Sequence, residues 1–154
     1  MHKLSRRLHY WGSFVAALPI LVILGSGILL QLKKQVEWVQ PKEIRGTGTV
    51  PAIDLHQVLA TVQTDASLGV AGWDDVSRMD IRADRGLAKV TLKNGWEVQV
   101  DLGTGKLLQS AVRRSDFIES VHDGSFFAGD LSKLGLFLPA GVVLFGLWVT
   151  ALFT

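Results

Sequence analysis

A chain of 154 residues, 48% of them hydrophobic and 19% charged, is long enough for one domain and apolar for a water-solvated one. It has no cysteine, which excludes disulfides, iron–sulfur clusters and thiolate zinc sites. The net charge of +2 hides an asymmetry. Lys3, Arg6 and Arg7 account for three of the 16 basic residues, and the remaining 13 face all 14 acids. The positive balance therefore sits in the N-terminal tail, which excludes a basic nucleic-acid-binding face.

Residues 1–10, "MHKLSRRLHY", read as a cytoplasmic basic tail. Residues 11–30, "WGSFVAALPILVILGSGILL", contain no charge. That is about the length needed to cross a ~30 Å hydrocarbon core, so a first transmembrane helix is expected over 11–32. A cleaved signal peptide fits less well, because no A-x-A site follows the run. Pro19 should kink the helix. Small residues at Gly12, Ala16, Gly25 and Gly27, and at Gly135 and Gly141 further on, suit close helix packing, within one chain or in a dimer.

Residues 33–48 form an expected interfacial linker, with Trp38 placed for a headgroup layer. In "DLHQVLATVQTD", Leu55, Val58, Leu59 and Val62 make one apolar face of a helix. Asp54 is its N-cap, with Gln57 completing a variant capping box. His56 falls off the apolar stripe, and Asp74 and Asp75 sit in a loop. "SRMDIRA", "LAKVTLK", "WEVQVDL" and "KLLQSAV" alternate polar and apolar residues and predict four antiparallel strands. "NG" at Asn94–Gly95 predicts a type I′ hairpin. The helix should cover the apolar face of the sheet, leaving the charged face in water.

"RRSDFIESVHDGSFFAGD" leads into a second uncharged run, "LGLFLPAGVVLFGLWVTALFT", expected to be transmembrane helix 2 over 134–154. Phe117, Ile118 and Val121 would form a short interfacial helix in the juncture 116–133, ended by Gly124. Tyr10, Trp11, Trp38, Phe126 and Phe127 are the expected membrane-interface side chains. No catalytic motif and no metal-ligand spacing stands out: there is no H-E-x-x-H, G-x-S-x-G or Walker loop.

"HQVLATVQ" followed by strands and "WEVQVDLGTGKLL" resembles a PepSY domain, whose strands end in a D-x-x-T-G-K-hydrophobic turn. "RRLHYWGS" before the first run and "SVHDGSFFAGD" before the second resemble the PepSY-associated transmembrane family. The likeness extends from about Arg6 to Phe153. It implies an α+β membrane protein in which two transmembrane helices flank a small periplasmic PepSY-like domain (residues 49–115), one helix packed on an antiparallel sheet of about four strands. The implied location is the bacterial inner membrane, N-terminus cytoplasmic. The implied function is that of a non-catalytic accessory or regulatory protein, without cofactor. Its partners would be membrane lipid and another membrane or periplasmic protein, such as a peptidase that it inhibits.

Larger relatives in that family resemble haem-containing reductases of iron–siderophore metabolism. The alternative reading is therefore a haem-binding homodimer, half of such a reductase, with haem b on His9 and His122. The expected topology places His9 at the cytoplasmic end of the first span and His122 at the periplasmic entrance to the second, about 30 Å apart in level, so one chain cannot clamp one haem with both.

Overall fold

The computed structural model describes the backbone of residues 2–151, and the side chains of these apart from 2–10, 12, 13, 15, 147, 150 and 151. The chain divides into two compact units. One combines residues 1–33 with Ser115–Thr154, and the other is Lys34–Arg114.

The Lys34–Arg114 unit is built on a four-stranded antiparallel sheet in the order β1-β2-β3-β4. Its strands are β1 (Val76–Arg82), β2 (Leu87–Leu92), β3 (Trp96–Asp101) and β4 (Leu107–Val112). Period-two alternation sends Ala88, Val90, Leu92, Val98 and Val100 to one face. There they meet Val58 and Val62 of a helix, Leu55–Gln63, together with Leu68 and Leu102. Each such aliphatic side chain gains roughly 1.5–3 kcal/mol on full burial, which makes this layer the main source of cohesion. The helix starts where its cap dictates. Asp54 Oδ1 accepts from Gln57 N–H, and Gln57 Oε1 accepts from Asp54 N–H, both at 2.8 Å.

The β2–β3 turn is not type I′. Among the described residues only glycines have positive φ, so Asn94 stays out of the left-handed region while Gly95 has φ +87°. Asn94 instead works through its side chain. It donates to Leu68 O and accepts from Trp96 N–H, which closes the turn without a second left-handed residue.

The second face of the sheet is not solvated as its charges suggest. Lys89, Thr91, Glu97, Gln99 and Asp101 are all buried. The segment 34–48 lies across them, tied by Ile44 N–H to Gln99 Oε1 and by Thr47 and Gly48 N–H to Asp101 Oδ1. Gly46 and Gly48 allow this approach: a Cβ at either would run into the backbone of Gly86 or Gly103. What reads as an interfacial linker thus forms part of the unit's own second layer.

The other unit contains α1 (His2–Gln31), with Pro19 inside it. Numbering the Leu55–Gln63 helix α2, the chain continues with α3 (Ser115–His122), α4 (Ser125–Ala128), α5 (Asp130–Ser132) and α6 (Leu138–Ala151). α3 and α6 both pack on α1. Among the described residues no helix is long and apolar enough to cross a membrane. The second apolar run is divided by a π-helical turn, Lys133–Phe137. The 14-residue α6 that follows is about 21 Å long, against the ~30 Å of a hydrocarbon core. The expected transmembrane helices 11–32 and 134–154 are corrected accordingly. With them go the two-pass inner-membrane location, the cytoplasmic tail and the periplasmic assignment of the central domain. The α+β class of the Lys34–Arg114 unit stands.

Candidate functional site

The histidine of the H-D-G stretch is bound to α1. His122 Nδ1 lies 3.1 Å from Ile23 O and 3.0 Å from Ser26 Oγ. A carbonyl oxygen can only accept, so Nδ1 carries the proton. Ser26 donates its own hydroxyl to Val22 O and is left to accept from His122. In the neutral ring it is then Nε2 that holds the lone pair. Gly27 makes room for the ring, since a Cβ there would lie 3.3 Å from His122 Cε1.

Asp123 turns the other way. Its carboxylate pairs with Lys133 Nζ at 2.7 Å and accepts from Ser125 N–H at 2.9 Å. The Lys133 hydrogen bond, then those of Ser125, hold its pKa down to about 2. The same pairing raises that of Lys133. Gly124 sits at φ +82° directly against the Phe137 ring. H-D-G therefore ties two elements: His122 holds α1, and Asp123 and Gly124 both hold the turn before α6. Among the described residues, Ile23, His122, Asp123, Lys133, Phe137 and Phe145 help to line an apolar cleft of about 470 Å³. That volume falls within the ~300–1,000 Å³ range of small-molecule sites.

His9 lies in α1, and its side chain, like that of Tyr10, is outside the described residues. Along α1 it is about 25 Å from Ser26, so the structure does not bring it to His122. Trp11, Trp38, Phe126 and Phe127 are all more than half exposed. Trp38 carries the Arg114 guanidinium 5.0 Å above its ring. Phe126 and Phe127 continue an aromatic row from Phe117 to Phe137.

In the Lys34–Arg114 unit one set of ionisable groups turns inward. Glu97, fully buried, holds Lys89 Nζ at 3.3 Å, Arg113 Nη1 at 3.0 Å and Gln99 Nε2 at 3.0 Å. Glu43 adds Lys89 at 3.4 Å and Arg85 at 3.3 Å. Asp101, the acid of the D-x-x-T-G-K turn, accepts from Gly103 N–H and the hydroxyls of Thr104 and Thr47. Burial pushes its pKa up, but these hydrogen bonds outweigh burial and hold the carboxyl well below the usual range. Thr104 and Gly105 of the motif thus serve the turn, Gly105 at φ +70°. Such buried pairs organise the fold, and nothing in them is aimed at a substrate.

Among the groups of this unit that face outward is a patch at α2. Trp73, 43% exposed, stands edge-on to His56 of α2 with ring centroids 5.8 Å apart, and Leu55 beside it is 52% exposed. Asp75 holds the approach to Trp73 by accepting from Ala71 and Gly72 N–H. Sequence reasoning treats His56 as an isolated surface residue. The missed signal is Trp73, an aromatic in a short polar loop. Among the described residues there is no group of three or more His, Asp or Glu placed to hold a metal ion.

Compared with known protein families, curated proteins and solved structures, the chain matches none.

Proposed function

We propose that this chain is a non-catalytic accessory or regulatory protein whose Lys34–Arg114 unit works by contact with another protein. The PepSY resemblance of that unit supports the same reading. The observation that carries it is the Leu55–His56–Trp73 patch, amphipathic and outward-facing, on a unit whose buried Glu97 and Asp101 are already satisfied internally. Tryptophan is enriched among residues that dominate binding energy, because it supplies much contact area at small entropic cost. Trp73→Ala is expected to weaken binding to a partner, once isolated by cross-linking, by about tenfold or more, with the fold intact. Turnover of a substrate by the purified chain alone would overturn the non-catalytic part.

One observation favours a second reading. The hydrogen bonding at Nδ1 leaves His122 Nε2 as a ready axial ligand beside an apolar cleft, which suits haem b. Haem would supply one-electron chemistry, and a second copy of the chain would have to supply the other axial ligand. In this reading the chain is half of a homodimeric reductase. A Soret band in protein from haem-replete cells, lost in His122→Ala, supports it. Colourless folded protein from the same cells removes it.

A further inference from the structure

The cleft beside His122 is polar at one end and hydrocarbon along the rest. His122, Asp123 and Lys133 line the polar end, and Leu134, Leu138, Val142 and Phe145 carry the wall onward. Leu138, Val142 and Phe145 follow at helical spacing on one face of α6. From Leu134 to Phe145 the wall runs for about 16 Å. All four side chains are more than half exposed, so this hydrocarbon is open to a ligand.

The polar end is nearly spent. Asp123 and Lys133 pair at 2.7 Å, and Asp123 also accepts from Ser125 N–H. Their charges cancel, so nothing there selects an ionic head. The Nδ1–Cε1 edge of His122 lies against α1: Nδ1 donates to Ile23 O, and Cε1 sits beside Gly27. That leaves Nε2, on the other edge of a ring that lines the cleft. Among the described residues nothing donates to it, and in the neutral ring it is an acceptor.

We propose that this cleft binds a neutral single-chain molecule with one terminal hydroxyl, a long-chain alcohol, its O–H donated to His122 Nε2 and its chain laid along Leu138, Val142 and Phe145. A hydroxyl satisfies an acceptor that an ether would leave unpaired, and a carboxylate would set acceptor against acceptor. The volume of about 470 Å³ lies in the lower half of the range for small-molecule sites, which suits one chain. This inference is independent of the contact reading, which concerns the other unit, and it competes with haem for Nε2.

The test measures binding of radiolabelled 1-dodecanol to the full chain by equilibrium dialysis. Saturable binding at a single site is expected. Dodecyl methyl ether keeps the oxygen and loses the donor, so it should compete about tenfold less well, and so should dodecanoate. Gly141→Leu should abolish binding with circular dichroism unchanged, because a side chain at this cleft-lining position meets no other atom and fills the cleft. His122→Phe keeps a ring without the acceptor and should bind alcohol and ether equally. Equal competition by alcohol and ether in the unchanged protein overturns the proposal. So does tighter binding of dodecanoate, or dodecanol binding that survives in Gly141→Leu. Protein from haem-replete cells that holds haem and refuses dodecanol overturns it in favour of the second reading. Trp73→Ala should leave dodecanol binding intact, so a failure here spares the contact reading.

Discussion

The two units handle polarity in opposite ways. The Lys34–Arg114 unit hides charge: Lys89, Glu97, Gln99 and Asp101 are buried and each has a partner. The unit that contains α1 and α6 shows hydrocarbon: Leu18, Leu21, Ile28, Leu131, Val142 and Phe145 are all more than 60% exposed. One is held by a continuous core plus a buried ionic layer. The other is held by a few specific ties, those of Ser26 to His122, Asp123 to Lys133, and Gly124 to Phe137. Substitution should therefore cost most where charge is buried, and should act locally where single ties hold helices together.

The largest effect is expected at Glu97. Glu97→Ala leaves Lys89 and Arg113 without their carboxylate in a buried site, and should cost about 3–5 kcal/mol in a denaturant melt. A loss under ~1 kcal/mol would mean that water reaches this layer.

Next comes Gly124→Ala. It combines a left-handed backbone with collision into the Phe137 ring, and about 2–4 kcal/mol is expected. Gly69→Ala, whose backbone is also left-handed, is the control. It meets nothing, so only the backbone strain of about 1–2 kcal/mol should appear. Equal costs would show that the Phe137 contact does not matter.

A smaller effect is expected from pH. Asp101 and Asp123 both have folded pKa values below the unfolded value of about 3.9, so the unfolded chain binds more protons in acid. Their contribution is complete above about pH 4. That of Asp123 is lost as pH falls from there through its folded value of about 2. Denaturation midpoints should therefore drop between about pH 4 and 2, and Asp123→Asn should reduce the drop. The smallest effect is at the patch itself. Trp73→Ala, at a half-exposed site, should change stability by no more than about 1 kcal/mol.

How far the sequence reaches differs between the units for the same physical reason. α2 and the meander are legible because their signals are local: Asp54 and Gln57 are neighbours, and Val98 and Val100 alternate with Glu97 and Gln99. The burial of that second face is not legible. Alternation of Glu97, Gln99 and Asp101 looks the same whether water or residues 34–48 cover it, and the covering contacts span more than 50 positions. The anchor of His122 is Ser26, 96 residues away, so H-D-G alone does not reveal which ring nitrogen is free. The two apolar runs show the opposite error. Uniform hydropathy suggested membrane spans, but the π-helical turn after Ser132 and the 14-residue α6 divide the second run in a way that apolarity alone does not encode.

The central claim is that the Leu55–His56–Trp73 face meets another protein. Its most direct test places a photo-crosslinking amino acid at position 73 in cells that make the full chain, with exposed Asp84 as the control position. One discrete cross-linked partner is expected from position 73 and none from 84. The same products from both positions, or no product from 73, would contradict it.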